Sequence, residues 1–318
     1  MKALAASAHM SVRPAVVCLA VLTAVLLPAI QSQAQVSVTN LVTDDQAVNA
    51  ATITDANLQN AWGISMSATS PFWVSDNATG VATIYNVNPV TNVPVKQGLT
   101  VTIPGDGSAT GQVFSNVAGN FNGDTFLFVN EDGTVSGWRG ALGTTAETLQ
   151  VASIANVYKG AALVNNGGNV YLYATNFRAD TIDVLKGNVG APPLPGSFTD
   201  PNIPAGFAPF NIENLDGTLY VTYAKQDAAK HDDVAGPGNG FVDAYDTNGN
   251  LLGRIASGGS LNSPWGMTIA PSSFGPIAGD LLVGNFGDGT INAFNLTTHA
   301  YDGPLKDLSS TPISIDGL

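Results

Sequence analysis

Residues 264–296 read PWGMTIAPSSFGPIAGDLLVGNFGDGTINAFNL, and residues 61–87 read AWGISMSATSPFWVSDNATGVATIYNV. Both carry Trp-Gly at the start of an apolar strand, then a turn, then a second strand ending in Asp or Asn. A Gly-containing turn and an alternating third strand follow. Three weaker copies lie between them: GQVFSNVAGNFNGDTFLFVNEDGTVSGW from Gly111, KGAALVNNGGNVYLYATNFRADTIDVL from Lys159, and APFNIENLDGTLYVTYAKQD from Ala208, whose third strand GFVDAYD is delayed. Asp76, Asn130, Asn176, Ala224 and Asn285 hold equivalent places, 54, 46, 48 and 61 residues apart. A period of about 50 lies in the size range of propeller blades.

The alternation in Thr290-Ile291-Asn292-Ala293-Phe294 and in Thr181-Ile182-Asp183-Val184 is strand periodicity, and no unit shows the 3.6-residue apolar spacing of helical repeats. Leu99–Ile103 and Leu251–Ile255 supply a more variable fourth strand. One such sheet buries too little by itself, so neighbours must pack face to face around an axis. The expected fold is an all-β, six-bladed β-propeller with five full blades and the last blade incomplete at the C-terminus. Val36–Val42 is expected as a lone strand that completes the last blade, which would protect the ring's free edge. Ile313–Leu318 is expected to begin another innermost strand.

Composition agrees with many short strands and tight turns: 35 Gly and 18 Pro are scattered among β-branched and aromatic residues. With 44% apolar and 11% charged residues, the chain is neither collagen-like nor disordered by charge. Its 24 acidic and 11 basic groups leave a net charge of −13, which repels phosphate backbones and excludes nucleic acid as an expected partner. Lys2 and Arg13, the apolar run Ala15–Ile30 and the small-x-small site Ser32-Gln33-Ala34 mark residues 1–34 as a signal peptide. Residues 35–318 then form a single β-propeller domain without a transmembrane segment, secreted, periplasmic or held at the cell surface. Cys18, the sole cysteine, leaves with the leader, so disulfides and thiolate chemistry are excluded.

The run from Asn60 to Leu318 resembles a family of exported bacterial conserved hypothetical proteins, six-bladed β-propellers related to NHL-repeat proteins. The strings that carry the resemblance are NAWGIS, FVNEDGTVSGW, ATNFRADTIDV, FTDPNIPAGFAPFNI, YVTYAKQDAAKHDDVAGPGNGFVDAYD, LNSPWGM and GDLLVGNFGDGTINAFN. It implies a propeller and export, but no reaction.

In a propeller, the connections into each innermost strand and those between the second and third strands share one rim at the channel mouth. The first group gives Trp62, Gln112, Lys159, Asn211 and Trp265 as expected ligand-binding residues. The second group is rich in carboxylates and amides, and Glu131, Asn176, Asp227 and Asn285 are the expected ligands for Ca2+, a hard cation that takes six to eight oxygens. His231 joins the ligand-binding set because it neighbours two carboxylates, Asp232 and Asp233, in the long excursion Lys225–Gly240. There is no Gly-x-Ser-x-Gly elbow, P-loop or His-Glu-x-x-His helix. The expected function is therefore non-catalytic binding of a polar small molecule, glycan or protein at the channel mouth. The alternative is a calcium-dependent lactonase or esterase-type hydrolase, and no residue is assigned a catalytic role.

Overall fold

The computed structural model describes residues 35–315; the expected leader 1–34 and the final residues 316–318 lie outside them. Strand β1 (Val42–Thr43) pairs in parallel with β2 (Ile53–Thr54) ahead of five larger sheets. The first sheet holds β3 (Ala61–Ser65), β4 (Phe72–Asp76), β5 (Val81–Val87), β6 (Pro94–Lys96) and β7 (Val101–Thr102), with both β6 and β7 on β5. The second is the meander β8 (Ala109–Phe114), β9 (Phe126–Asn130), β10 (Val135–Trp138) and β11 (Glu147–Gln150). The third has β12 (Tyr158–Asn166), β13 (Asn169–Asn176) and β14 (Thr181–Lys186) alone. The fourth runs β15 (Phe207–Leu215), β16 (Thr218–Lys225), β17 (Gly240–Tyr245) and β18 (Leu251–Ser257), and the fifth β19 (Pro264–Ile269), β20 (Leu281–Asn285), β21 (Ile291–Phe294) and β22 (Tyr301–Pro304).

The FLFVN run of β9 shows why these sheets stack in a ring. Side chains alternate across a strand, and this strand is apolar at both parities because both of its faces are covered. Phe126 and Phe128 pack with Trp73 and Ile84 of the first sheet, while Leu127 and Val129 pack with Tyr158, Val170 and Leu172 of the third. The pattern continues: Tyr171 and Tyr173 meet Ile212 and Val221, and Tyr220 and Val242 meet Leu281 and Val283. The second, third and fourth sheets are thus each held between two others, and the innermost strands β3, β8, β12, β15 and β19 pack in succession. Trp62 of β3 comes back to Trp265 of β19, with ring centroids 5.5 Å apart, so the series curves round a common hub. This is a propeller with five sheets among the described residues.

The fifth and first sheets do not join as the others do. A Cβ on Gly63 would strike the Thr110 carbonyl of the next inner strand, and one on Gly111 would lie 2.6 Å from the Ala161 nitrogen. Glycine is required at both positions by that close approach. At Gly266, in the same place on β19, a Cβ would meet nothing within 4 Å. On the other wall, Ile64 holds the register position that Gln112 holds in β8. Gln112 reaches back onto Ser65, Ser75 and the Trp73 carbonyl of the preceding sheet, whereas Ile64 is 60% exposed. A cavity of about 1330 Å³ lies beside this opening, lined by Val36, Val38, Leu41, Leu58, Ile313 and Ile315 among others.

The N-terminal end differs from expectation. Val36–Val42 is not one strand completing the last blade: Gln35 bridges Lys306 in parallel, and of residues 36–42 only Val42 enters a strand, paired with Ile53. Ile313 and Ile315 pack on the outward face of the fifth sheet with Leu282 and Ala293, and the Ile315 amide donates to the Gly289 carbonyl. That bond repeats the one from Ile103 to Gly80 ahead of the second sheet. Among the described residues, no helix is long and apolar enough to cross a membrane.

Candidate functional site

Every inner strand carries a register shift at the same place, between Ala61 and Ile64, Ala109 and Gln112, Tyr158 and Ala161, Pro209 and Asn211, and Pro264 and Met267. Bulges re-aim side chains. Here the bulged residues include Trp62, Thr110, Lys159, Phe210 and Trp265. Trp62 lies 6.2 Å from Phe210 and 5.2 Å from Phe286 between ring centroids, besides its contact with Trp265. With Phe177 against Phe210, these rings close the hub as an aromatic plug.

Lys159 stands on this plug. Its ammonium is 5.4 Å from the centroid of the Trp62 ring, and its carbonyl accepts a hydrogen bond from the Trp265 indole at 3.0 Å. The side chain is only 2% exposed, and its charge is met by Glu131 from the second sheet and by Asp232 Oδ1 at 3.3 Å. Asn77 Nδ2 donates to the other oxygen of Glu131 at 3.4 Å. Asp232 comes from the long loop between β16 and β17, which arches over the hub from the fourth sheet. Its Oδ1 also takes His231 Nδ1 at 2.9 Å. Burial works to raise the Asp232 pKa, but the His231 hydrogen bond and the Lys159 charge prevail and hold it below the usual carboxylate range. Asp227 Oδ1 accepts from the His231 and Asp232 amides, which folds the loop tip on itself.

The structure therefore brings Trp62, Lys159, Trp265, His231 and Glu131 together, and it leaves the other expected residues elsewhere. Gln112 is a clamp between the first two sheets, as described above. Asn211 is buried beneath the plug, donating to the Trp265 carbonyl at 2.9 Å. The Trp rings themselves are packed against neighbours rather than presented as flat faces.

The expected calcium ligands are occupied by other work. Asn176 Nδ2 donates to Asn156 Oδ1 and Asp183 Oδ2, and its Oδ1 accepts from the Val157 and Ala179 amides. Asn285 donates to the Ser260 carbonyl at 2.7 Å and accepts from the Asn262 amide. Asn130 likewise donates to the Pro104 carbonyl. Each of these buried amides locks the chain leading into its own sheet, and Asp227 is committed to the loop tip. Glu131, His231 and Asp232 offer ligand atoms within 4.8 Å of one another, but the Lys159 ammonium is bonded to both carboxylates. The donor set does not fit calcium, because a fixed cation already sits against both of its carboxylates.

Three features were missed from sequence. Phe177 and Phe286 of the plug follow the lock asparagines directly, and the repeated Asn-Phe dipeptide was the available signal. The seating of Asp232 on Lys159 had none, since 73 residues separate them. Asp76, in the lock position of the first sheet, is fully buried with no hydrogen-bond partner on either oxygen. Burial, reinforced by the charge of Asp55, pushes its carboxyl up to about 8, against only partial relief from the Lys96 charge.

No protein-family model matches the chain. In sequence it is similar to uncharacterized protein R648 of Acanthamoeba polyphaga mimivirus, 31% identical over 291 residues that take in 85% of this chain and 70% of that protein. It is also similar to uncharacterized protein L690 of the same virus, 31% identical over 286 residues, 83% of this chain and 73% of that one. These relatives are viral rather than bacterial. Among solved structures it is similar to the Pseudomonas aeruginosa periplasmic gluconolactonase PpgL, with 15% identity and a TM-score of 0.49 over 76% of this chain and 70% of that one. The Penicillium chrysogenum alpha-L-arabinanase complexed with arabinobiose gives 13% identity and a TM-score of 0.47 over 80% and 81%.

Proposed function

Because this chain belongs to the family of the mimivirus proteins R648 and L690, which brings no stated activity with it, we propose its function from the site: an exported, non-catalytic propeller that binds a polar ligand above its plugged hub. One observation carries this reading. The 2%-exposed Lys159 ammonium is bonded to Glu131 and Asp232, so the carboxylates at the channel mouth are already engaged by a cation of the chain itself. The cluster offers Asp232 and His231 to solvent, 67% and 38% exposed, and these are groups that recognise hydroxyls and charges. Export rests on the leader pattern of residues 1–34. A glycan array and calorimetry on residues 35–318 test the reading. Binding is expected to be indifferent to chelator, without turnover of lactones. Turnover that chelator abolishes and calcium restores would replace it with the hydrolase.

We also infer that the ring has six places, the sixth lying between β19 and β3. Support comes from the open space at Gly266, the bare Ile64 and the Ile315–Gly289 bond that repeats Ile103–Gly80. Residues 35–318 contain no cysteine, so an Ile64→Cys variant gives one readable thiol. It is expected to react with a maleimide in the native state as fast as a surface thiol. Protection at that position would mean that the first and fifth sheets have closed on each other, as in a five-bladed ring.

A further inference from the structure

Lys159 has two counter-ions of unlike character. Glu131 is 13% exposed and steadied by Asn77 on a short turn of the second sheet. Asp232 is 67% exposed and belongs to a loop tip whose hydrogen bonds are mostly internal: the Asp227 amide to the Asp232 carbonyl, Lys230 to the Asp227 carbonyl, and His231 and Asp232 to the Asp227 carboxylate. The ion pair to Lys159 is the tip's charged link to the hub, while the base of the loop is tied separately, Gln226 Nε2 donating to the Phe177 carbonyl of the plug.

We propose that Asp232 stands in for the carboxylate of a ligand, and that the site takes a monocarboxylate by displacing Asp232 from Lys159. This rests on the binding reading above and names its ligand class. A nearly buried ammonium stripped of a partner is costly, so whatever lifts Asp232 away must bring an anionic oxygen of its own. A hydroxyl supplies no charge. A divalent cation would have to share the space with the ammonium. A dianion would face Glu131 at close range in a chain of net charge −13. A single carboxylate reproduces what Asp232 now provides, and His231 Nδ1, which bonds Asp232 at 2.9 Å, is released to meet the incoming group. That ion pair also sets the affinity. An intramolecular carboxylate competes at an effective concentration in the millimolar range, so free ligand binds more weakly than the pocket alone would allow.

Calorimetry with sodium glucuronate, and with glucose as its neutral twin, tests this on residues 35–318. Asp232→Ala is expected to bind glucuronate about ten-fold more tightly than the unaltered chain, with glucose unaffected. Asp232→Asn, which keeps the shape of the side chain, should shift affinity in the same direction. In the unaltered chain, saturating glucuronate should speed amide hydrogen exchange across residues 227–233. Glucuronate affinity that is unchanged or weaker in both variants overturns the proposal, as does its failure to bind any of the three proteins. If neutral glycans bind and lose affinity in Asp232→Ala, the polar-ligand reading stands and the carboxylate one falls. If nothing on the array or in the cell binds, both fall.

Discussion

Lys159→Met is expected to lower the free energy of unfolding by about 3–5 kcal/mol, the usual cost of removing one member of a buried ion pair. Methionine keeps most of the chain length against Trp62, so the aromatic plug retains its packing and the loss isolates the charge. What remains is Glu131, 13% exposed, beside Asp232 with no cation between them. Urea denaturation at neutral pH, with the slope checked for constancy, reads the effect. Adding Glu131→Gln should recover part of it, because the second change removes the carboxylate that the first left stranded. A loss below about 1 kcal/mol would place the cluster among solvated surface pairs, and the site would lose its buried anchor.

Asp76→Asn should stabilise the protein, and by more as the pH rises. The carboxyl of Asp76 is pushed up to about 8 in the fold from its ordinary 3.8, because burial disfavours the anion. The native state therefore holds a proton that the unfolded chain releases across this window. Its contribution to stability is intact below pH 3.8 and is lost progressively as pH climbs toward 8, at up to about 1.4 kcal/mol per unit. Asparagine cannot ionise, and it is the residue that fills the same place as Asn130, Asn176 and Asn285 in three other sheets. Thermal unfolding of the two proteins at pH 5 and pH 8 should show a gap that widens at the higher pH, reaching a few kcal/mol. Parallel profiles would mean that the carboxylate finds solvent or a partner in the fold.

The framework was legible because each unit repeats its punctuation. The positions read as equivalent from sequence, Asp76, Asn130, Asn176, Ala224 and Asn285, all fall at or next to the end of the second strand of their sheets. Trp62, Lys159 and Trp265 were found because their bulge falls beside a glycine. Gln112 and Asn211 were misplaced for the same reason: with the bulge unseen, the residue after it was read as facing the hub, when Thr110 and Phe210 are the true equivalents. The calcium set was drawn on chemistry that sequence does not display. An amide on a tight turn reads identically whether its oxygen faces a cation or, like Asn176 Oδ1, accepts from backbone amides.

The third sheet stops at three strands, and among the described residues no further strand pairs with β14. Its outer backbone groups are thus free to recruit another molecule, the usual starting point for sheet-to-sheet polymerisation. The sequence defends that flank. Lys186 puts a charge on the strand, and the segment after it carries Pro192, Pro193 and Pro195, which lack amide donors, while the Tyr171 hydroxyl donates to the Pro192 carbonyl at 2.9 Å. A chain that docked against this flank would meet a donor-poor, proline-stiffened margin in place of a bare strand.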